Sequence, residues 1–139
     1  METTLAPTQL NNGQNAHPSR WPARLVTALP ALFLTFDASM KLLHHPAVSE
    51  ATARLGLPDQ TSIGVGALEL TLLVLYVLPR TAFFGALLLT GFLGGAVALH
   101  LRIGDPFLTH TLFPVYIGAL LWAGLLLRQP QLRRFLAER

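Results

Sequence analysis

The sequence predicts an all-α integral membrane protein, a four-helix bundle with both termini on the cytoplasmic side (N-in/C-in). Three observations predict it. Of 139 residues, 52% are hydrophobic and 12% charged, where a soluble domain carries roughly 25% charged residues, and the mean hydropathy is +0.49. Four apolar runs, at about 23–43, 62–78, 81–101 and 111–127, match or approach the about 17–25 residues of a membrane helix. Basic residues divide unevenly between the two ends of those runs. With the N-terminus inside, one side holds Arg20, Arg24, Arg80, Arg128, Arg133, Arg134 and Arg139, and the other only Lys41, Arg54 and Arg102, the asymmetry of a positive-inside protein.

The same composition excludes several classes. A small soluble globule needs more polar surface, and a disordered chain needs low hydrophobicity and high charge. With no cysteine there is no disulfide scaffold, Cys-ligated metal or thiol nucleophile. The pI near 10.2 reflects the arginine-rich side, which faces anionic headgroups, and does not mark a nucleic-acid binder.

Along the chain, residues 1–20 form a polar tail containing Asn11, Asn12, Gln14 and Asn15 and are expected to be disordered. Residues 21–129 form the helical domain, and 130–139 a basic cytoplasmic tail. The first run, at about 23–43, contains Pro30, which is expected to kink it. Residues 44–61 read as a polar loop with His44, His45, Pro46 and Pro58. The second run ends before Pro79-Arg80, and the third starts at Thr81. That turn is too tight for anything but an antiparallel pair. Gly104, Asp105 and Pro106 stop the third helix, and Pro114 is tolerated in the first turn of the fourth. Gly91, Gly94 and Gly95 contain a Gly-x-x-x-Gly pattern that signals close helix packing, inside the chain or between subunits. Trp21, Trp122, Tyr76 and Tyr116 read as interface anchors or packing residues.

Charged side chains inside spanning runs cost roughly 2.5–3.5 kcal/mol each at a helix centre, so those present need partners. Asp37, Lys41 and His44 are spaced i, i+4, i+7 and share one helix face. Asp37 lies about 9 Å from the outer end of its run, and Glu69 about 10 Å from the same side of the second, at 1.5 Å per residue. His100, Arg102 and His110 cluster at the outer ends of the third and fourth runs. The expected arrangement is a polar pocket of Asp37, Lys41, Glu69 and His100 opening outward, with Arg102 joining it or snorkelling to the headgroups. Asp37–Lys41 also reads simply as a neutralised pair. Glu69 has no basic residue three or four positions away, so it either pairs across helices with Lys41, His100 or Arg102 or is protonated. His44, His100 and His110 lack the tight spacing of a metal site, and none is expected.

The residues also carry a resemblance. Phe36-Asp37-x-Ser39-x-Lys41-Leu42 in the first run and Glu69 in the second are followed by Pro79-Arg80-Thr81-Ala82-x-x-Gly85-Ala86. Then come Leu93-Gly94-Gly95-Ala96-x-Ala98-x-His100-x-Arg102-x-Gly104, Phe113-Pro114 and Leu121-Trp122-x-Gly124-Leu125-x-Leu127-Arg128. Over about residues 22–135 the chain resembles the DoxX-like family of small four-helix bacterial membrane proteins. The resemblance implies a multi-pass protein of the bacterial inner (plasma) membrane. It also implies a link to redox chemistry, because the family is named for a small subunit of a thiosulfate:quinone oxidoreductase. Other relatives resemble partners of redox-stress systems or assembly factors.

Three functions follow as expectations. The first is a redox-associated membrane component that meets a quinone, none being held covalently, with Glu69 and His100 relaying protons as catalytic groups. The second is a non-catalytic accessory subunit or assembly factor that packs against another membrane protein or a second copy of itself. The third is an isomerase or carrier for a lipophilic small molecule, an analogy at the level of the fold alone.

Overall fold

The computed structural model describes residues 21–138, all helix and connecting turns, with no strand among them. The polar tail expected over 1–20 lies outside the described residues. The helices are α1 (Trp21–Leu42), α2 (Pro46–Arg54), α3 (Thr61–Val77), α4 (Ala82–Arg102), α5 (Phe113–Arg128) and α6 (Pro130–Ala137), with a π-helical turn at Phe107–Thr111 before α5. Three stretches are long and apolar enough to cross a membrane: Arg24–Leu42, Ala82–Arg102 and Phe107–Arg128. α3 is apolar but has 17 residues, about 25 Å at 1.5 Å per residue.

α1 packs against α3 and α5, and α4 packs against α3 and α5. Between them lies a core of Leu34, Leu72, Leu73, Tyr76, Ala82, Ala86, Leu89, Leu93, Ile117, Leu121 and Leu125. The outward faces are apolar too: Leu25, Leu29, Leu32, Phe36, Leu68, Phe84 and Leu87 are all exposed. Water would penalise that surface at about 25 cal/mol per Å², whereas lipid tails do not. An apolar exterior around an apolar core is what a lipid-facing bundle requires.

Close approaches are made at glycines, but not at the expected ones. A Cβ on Gly85 would collide with the backbone of Tyr76, so α3 and α4 touch backbone to backbone just beyond their turn. Thr81 closes that turn by donating its hydroxyl to the Leu75 carbonyl at 2.8 Å. A Cβ on Gly124 would sit 2.7 Å from Thr27 Oγ1 and 3.1 Å from the Tyr76 hydroxyl, where α5 meets α1 and α3. A methyl added at Gly91, Gly94 or Gly95 would meet nothing within 4 Å among the described residues, so of the two packings expected of them, inside the chain or between subunits, the one inside the chain is not made. The reason is phase. Ala82, Gly85, Ala86, Leu89 and Leu93 are the buried positions of α4, and Gly91 and Gly95 lie about 200° from Leu89 and Leu93 at 100° per residue.

The connections depart from the expected loops in two places. Residues 46–54 are helical rather than looped, because His45 is extended and its Nδ1 accepts from the Ala47 N–H at 3.3 Å. Pro46 then takes the first helical position, where its missing N–H costs nothing. Beyond Pro106 the chain makes a π turn, with the Leu112 N–H on the Phe107 carbonyl at 2.9 Å. α1 runs on through the buried Pro30, and Pro114 occupies the first turn of α5. The basic tail is helical over Pro130–Ala137, and Leu132 packs against the core.

Candidate functional site

Lys41, the penultimate residue of α1, is the centre of a buried ion cluster. Its ammonium donates to Asp37 Oδ2 at 2.5 Å and to Glu69 Oε2 at 2.6 Å. The first bond is the i, i+4 pair that the sequence spacing provides. The second crosses to α3, and Gly66 makes it possible. A Cβ there would lie 2.7 Å from Lys41 Cβ and 3.0 Å from the Ala38 carbonyl, so only glycine lets α1 approach that closely. Glu69 is the middle residue of the 17-residue α3. Because α1 ends beside Gly66, the cluster lies about one turn below the end of α1. The Phe92 ring of α4 completes it, with its centroid 5.7 Å from Lys41 Nζ, a cation–π distance.

Exposure is graded across the cluster. The side chain of Glu69 is 0% exposed, that of Lys41 19% and that of Asp37 38%. Two carboxyls share one ammonium, so with both ionised one negative charge would be in excess. Glu69 Oε1 is buried with no hydrogen-bond partner among the described residues. An unmatched charge and an unmet acceptor in a low-dielectric interior are both costly. A proton, or a donor group entering past Asp37, would relieve both. The arrangement can therefore bind and release a proton, or hold a polar head by hydrogen bonds.

The expected pocket is only partly assembled. Asp37, Lys41 and Glu69 meet as anticipated, whereas His100 and Arg102 take other partners. His100 lies eight residues beyond Phe92 on α4, about 12 Å further out. There its Nδ1 pairs with Asp105 Oδ2 at 2.6 Å. Asp105 Oδ1 accepts from Arg54 at 3.0 Å, and the His110 ring is 6.3 Å from that of His100. The hydrogen bond from His100, assisted by the Arg54 charge, holds the Asp105 carboxyl below the usual carboxylate range. Arg102 does not join the cluster: it donates to the Leu55 carbonyl. Gly56, at φ +69°, leaves room for its guanidinium. His44 does not extend the Asp37–Lys41 face. It turns into the left-handed region at φ 53°, and its Nε2 pairs with Asp59 Oδ2 at 2.6 Å, which lowers the pKa of Asp59.

Two participants were not identified in the sequence. Asp105 reads there only as part of a helix stop, although a carboxylate five residues after a histidine, across a glycine turn, is a usable signal. Phe92 carries no signal, being one of eight phenylalanines. No group of three or more metal-ligating side chains occurs among the described residues.

Long apolar helices with apolar outer faces, joined by short polar connections and enclosing an ion cluster, define a multi-pass membrane protein. The sequence pattern of the DoxX-like family matches residues 25–124, and the chain belongs to that family. No curated protein and no solved structure matches it.

Proposed function

We propose that the protein is a redox-associated component of the bacterial inner membrane, with four spans in the N-in/C-in sense, whose ion cluster exchanges protons with a quinone. The observation that carries the reading is that two carboxyls, Asp37 and Glu69, share the single ammonium of Lys41 while Glu69 Oε1 is unbonded among the described residues. Reducing a quinone takes up protons as well as electrons. With no cysteine in the chain, the electrons come from a partner. Glu69 is the proton-exchanging group. Lys41 holds it and offers an ammonium donor to a carbonyl head, and the half-open Asp37 marks the entry. The His100–Asp105 pair further out is the second proton relay, with Asp105 fixing the imidazole through Nδ1. The topology rests on charge. At the end where α3, α4 and α5 meet through Pro79, Arg128 and Gln129, Arg24, Arg80, Arg128, Arg133 and Arg134 collect. At the other end, Lys41 and Arg54 are neutralised by carboxylates.

The test is binding of a short-chain quinone to purified protein, with Glu69→Gln and His100→Ala as variants. Weakening by Glu69→Gln supports the site. Unchanged binding in both variants overturns it.

A second reading is an accessory or assembly subunit, favoured by the uncovered Gly91, Gly94 and Gly95 on α4, which would let a partner helix approach closely. Affinity capture in mild detergent, comparing the wild type with Gly91→Leu, tests it. A stable partner lost in the variant supports this reading, and recovery of the protein alone opposes it.

A further inference from the structure

At the end of the molecule opposite the His100–Asp105 pair, the α5–α6 junction and the α3–α4 turn border an open cavity of about 760 Å³ lined by Pro79, Arg128, Gln129, Gln131, Leu132 and Arg134, among others. It falls within the about 300–1,000 Å³ of small-molecule clefts. Its frame is fixed. Gln129 Nε2 donates to the Pro79 carbonyl at 3.1 Å, tying the junction to the turn, and Leu132 anchors α6 on the core.

The cavity is cationic and unneutralised. Arg128 stacks on the Tyr76 ring at 4.8 Å and donates one bond, at 3.0 Å, to the Tyr76 carbonyl. Its Nε is buried with no partner among the described residues. None of the described carboxylates lines the cavity. Among the described residues neither Arg128 nor Arg134, nor the nearby Arg80 and Arg133, forms an ion pair. The first turn of α6 also lines the space; its N-terminal dipole favours an anion, while the Leu132 and Arg133 N–H groups are taken by the Gln129 carbonyl. Two guanidinium groups and no acid form the charge set of a phosphate site.

We propose that this cavity binds the phosphodiester of an anionic phospholipid. The lipid, rather than free phosphate, is the source, because the cavity lies where the apolar helices end. A headgroup there keeps its acyl chains against the exposed Val77 and Leu127. Arg128 and Arg134 clamp the phosphate, while Arg133, which does not line the cavity, contributes only general attraction. The inference is independent of the quinone reading, which concerns the other end of the helices.

Native mass spectrometry of the full chain in dodecylmaltoside, titrated with dioleoyl phosphatidylglycerol or dioleoyl phosphatidylcholine, tests it. The expected result is preferential binding of phosphatidylglycerol, weakened about fivefold by Arg134→Gln, the equivalent of about 1 kcal/mol. Arg133→Gln, which removes the same charge, should change it less than about twofold. Millimolar inorganic phosphate should not displace the lipid. Equal binding of the two lipids, or equal losses in the two variants, overturns the site. Displacement by inorganic phosphate overturns the lipid as its ligand.

Discussion

Replacing Lys41 with methionine removes the one cation that two carboxylates share while keeping an unbranched side chain of similar reach. Glu69 then loses the hydrogen bond from Lys41 at a position with 0% side-chain exposure. Removing one partner of a buried pair costs about 3–5 kcal/mol. The lower end, about 3 kcal/mol, is expected here because Lys41 itself is partly exposed and its bond to the half-open Asp37 is worth only about 0.3–0.5 kcal/mol as an i, i+4 pair. Glu69→Gln removes the buried charge and should cost about 1.5 kcal/mol for a charged hydrogen bond. The double variant should cost scarcely more than Glu69→Gln alone, giving a coupling of about 3 kcal/mol. Reversible unfolding in mixed micelles, followed by loss of helical circular dichroism, measures all four corners of the cycle. A Lys41→Met cost below about 1 kcal/mol, or strictly additive singles, would show that the cluster is not an energetically coupled buried site.

Other outcomes are expected elsewhere. Gly85→Ala drives a methyl into the Tyr76 backbone and should cost about 1–3 kcal/mol, whereas Gly91→Ala, facing open space, should stay within about 0.5 kcal/mol. Comparing their melting temperatures in one detergent checks both. Trp122→Phe loses the 2.9 Å bond from the indole N–H to Thr90 Oγ1 and should cost about 1 kcal/mol. The same substitution in a Thr90→Val background should cost less. The carboxyl of Asp105 is held below its ordinary value by His100 and Arg54, so its contribution is complete above the unfolded value near 4 and is lost as pH falls through the folded value. Between about pH 5 and about pH 2 the melting temperature of Asp105→Asn should therefore fall less than that of the wild type. Parallel curves would remove Asp105 from the acid sensitivity.

Much of this molecule follows from local pattern. The runs at 62–78 and 81–101 became α3 and α4 within a residue or so, because in lipid a long apolar segment satisfies its backbone only as a helix. The Pro79 turn left no alternative to an antiparallel neighbour. The Asp37–Lys41 contact came from spacing on one helix, and the need of Glu69 for a partner came from the cost of its burial. The choice of that partner was decided by tertiary structure. Lys41, His100 and Arg102 were equivalent candidates in sequence. Gly66 brings α1 against α3 at the level of Glu69, while eight residues of α4 carry His100 out to Asp105. The glycines divide in the same way: a Gly-x-x-x-Gly spacing describes a face, but the rotation of α4 decides that Gly85 meets Tyr76 while Gly91 meets nothing among the described residues. Periodicity and burial cost act along one segment and can be read from residue order. Axial stagger and rotation between helices are sums of many weak contacts across segments, and no single stretch of sequence contains them.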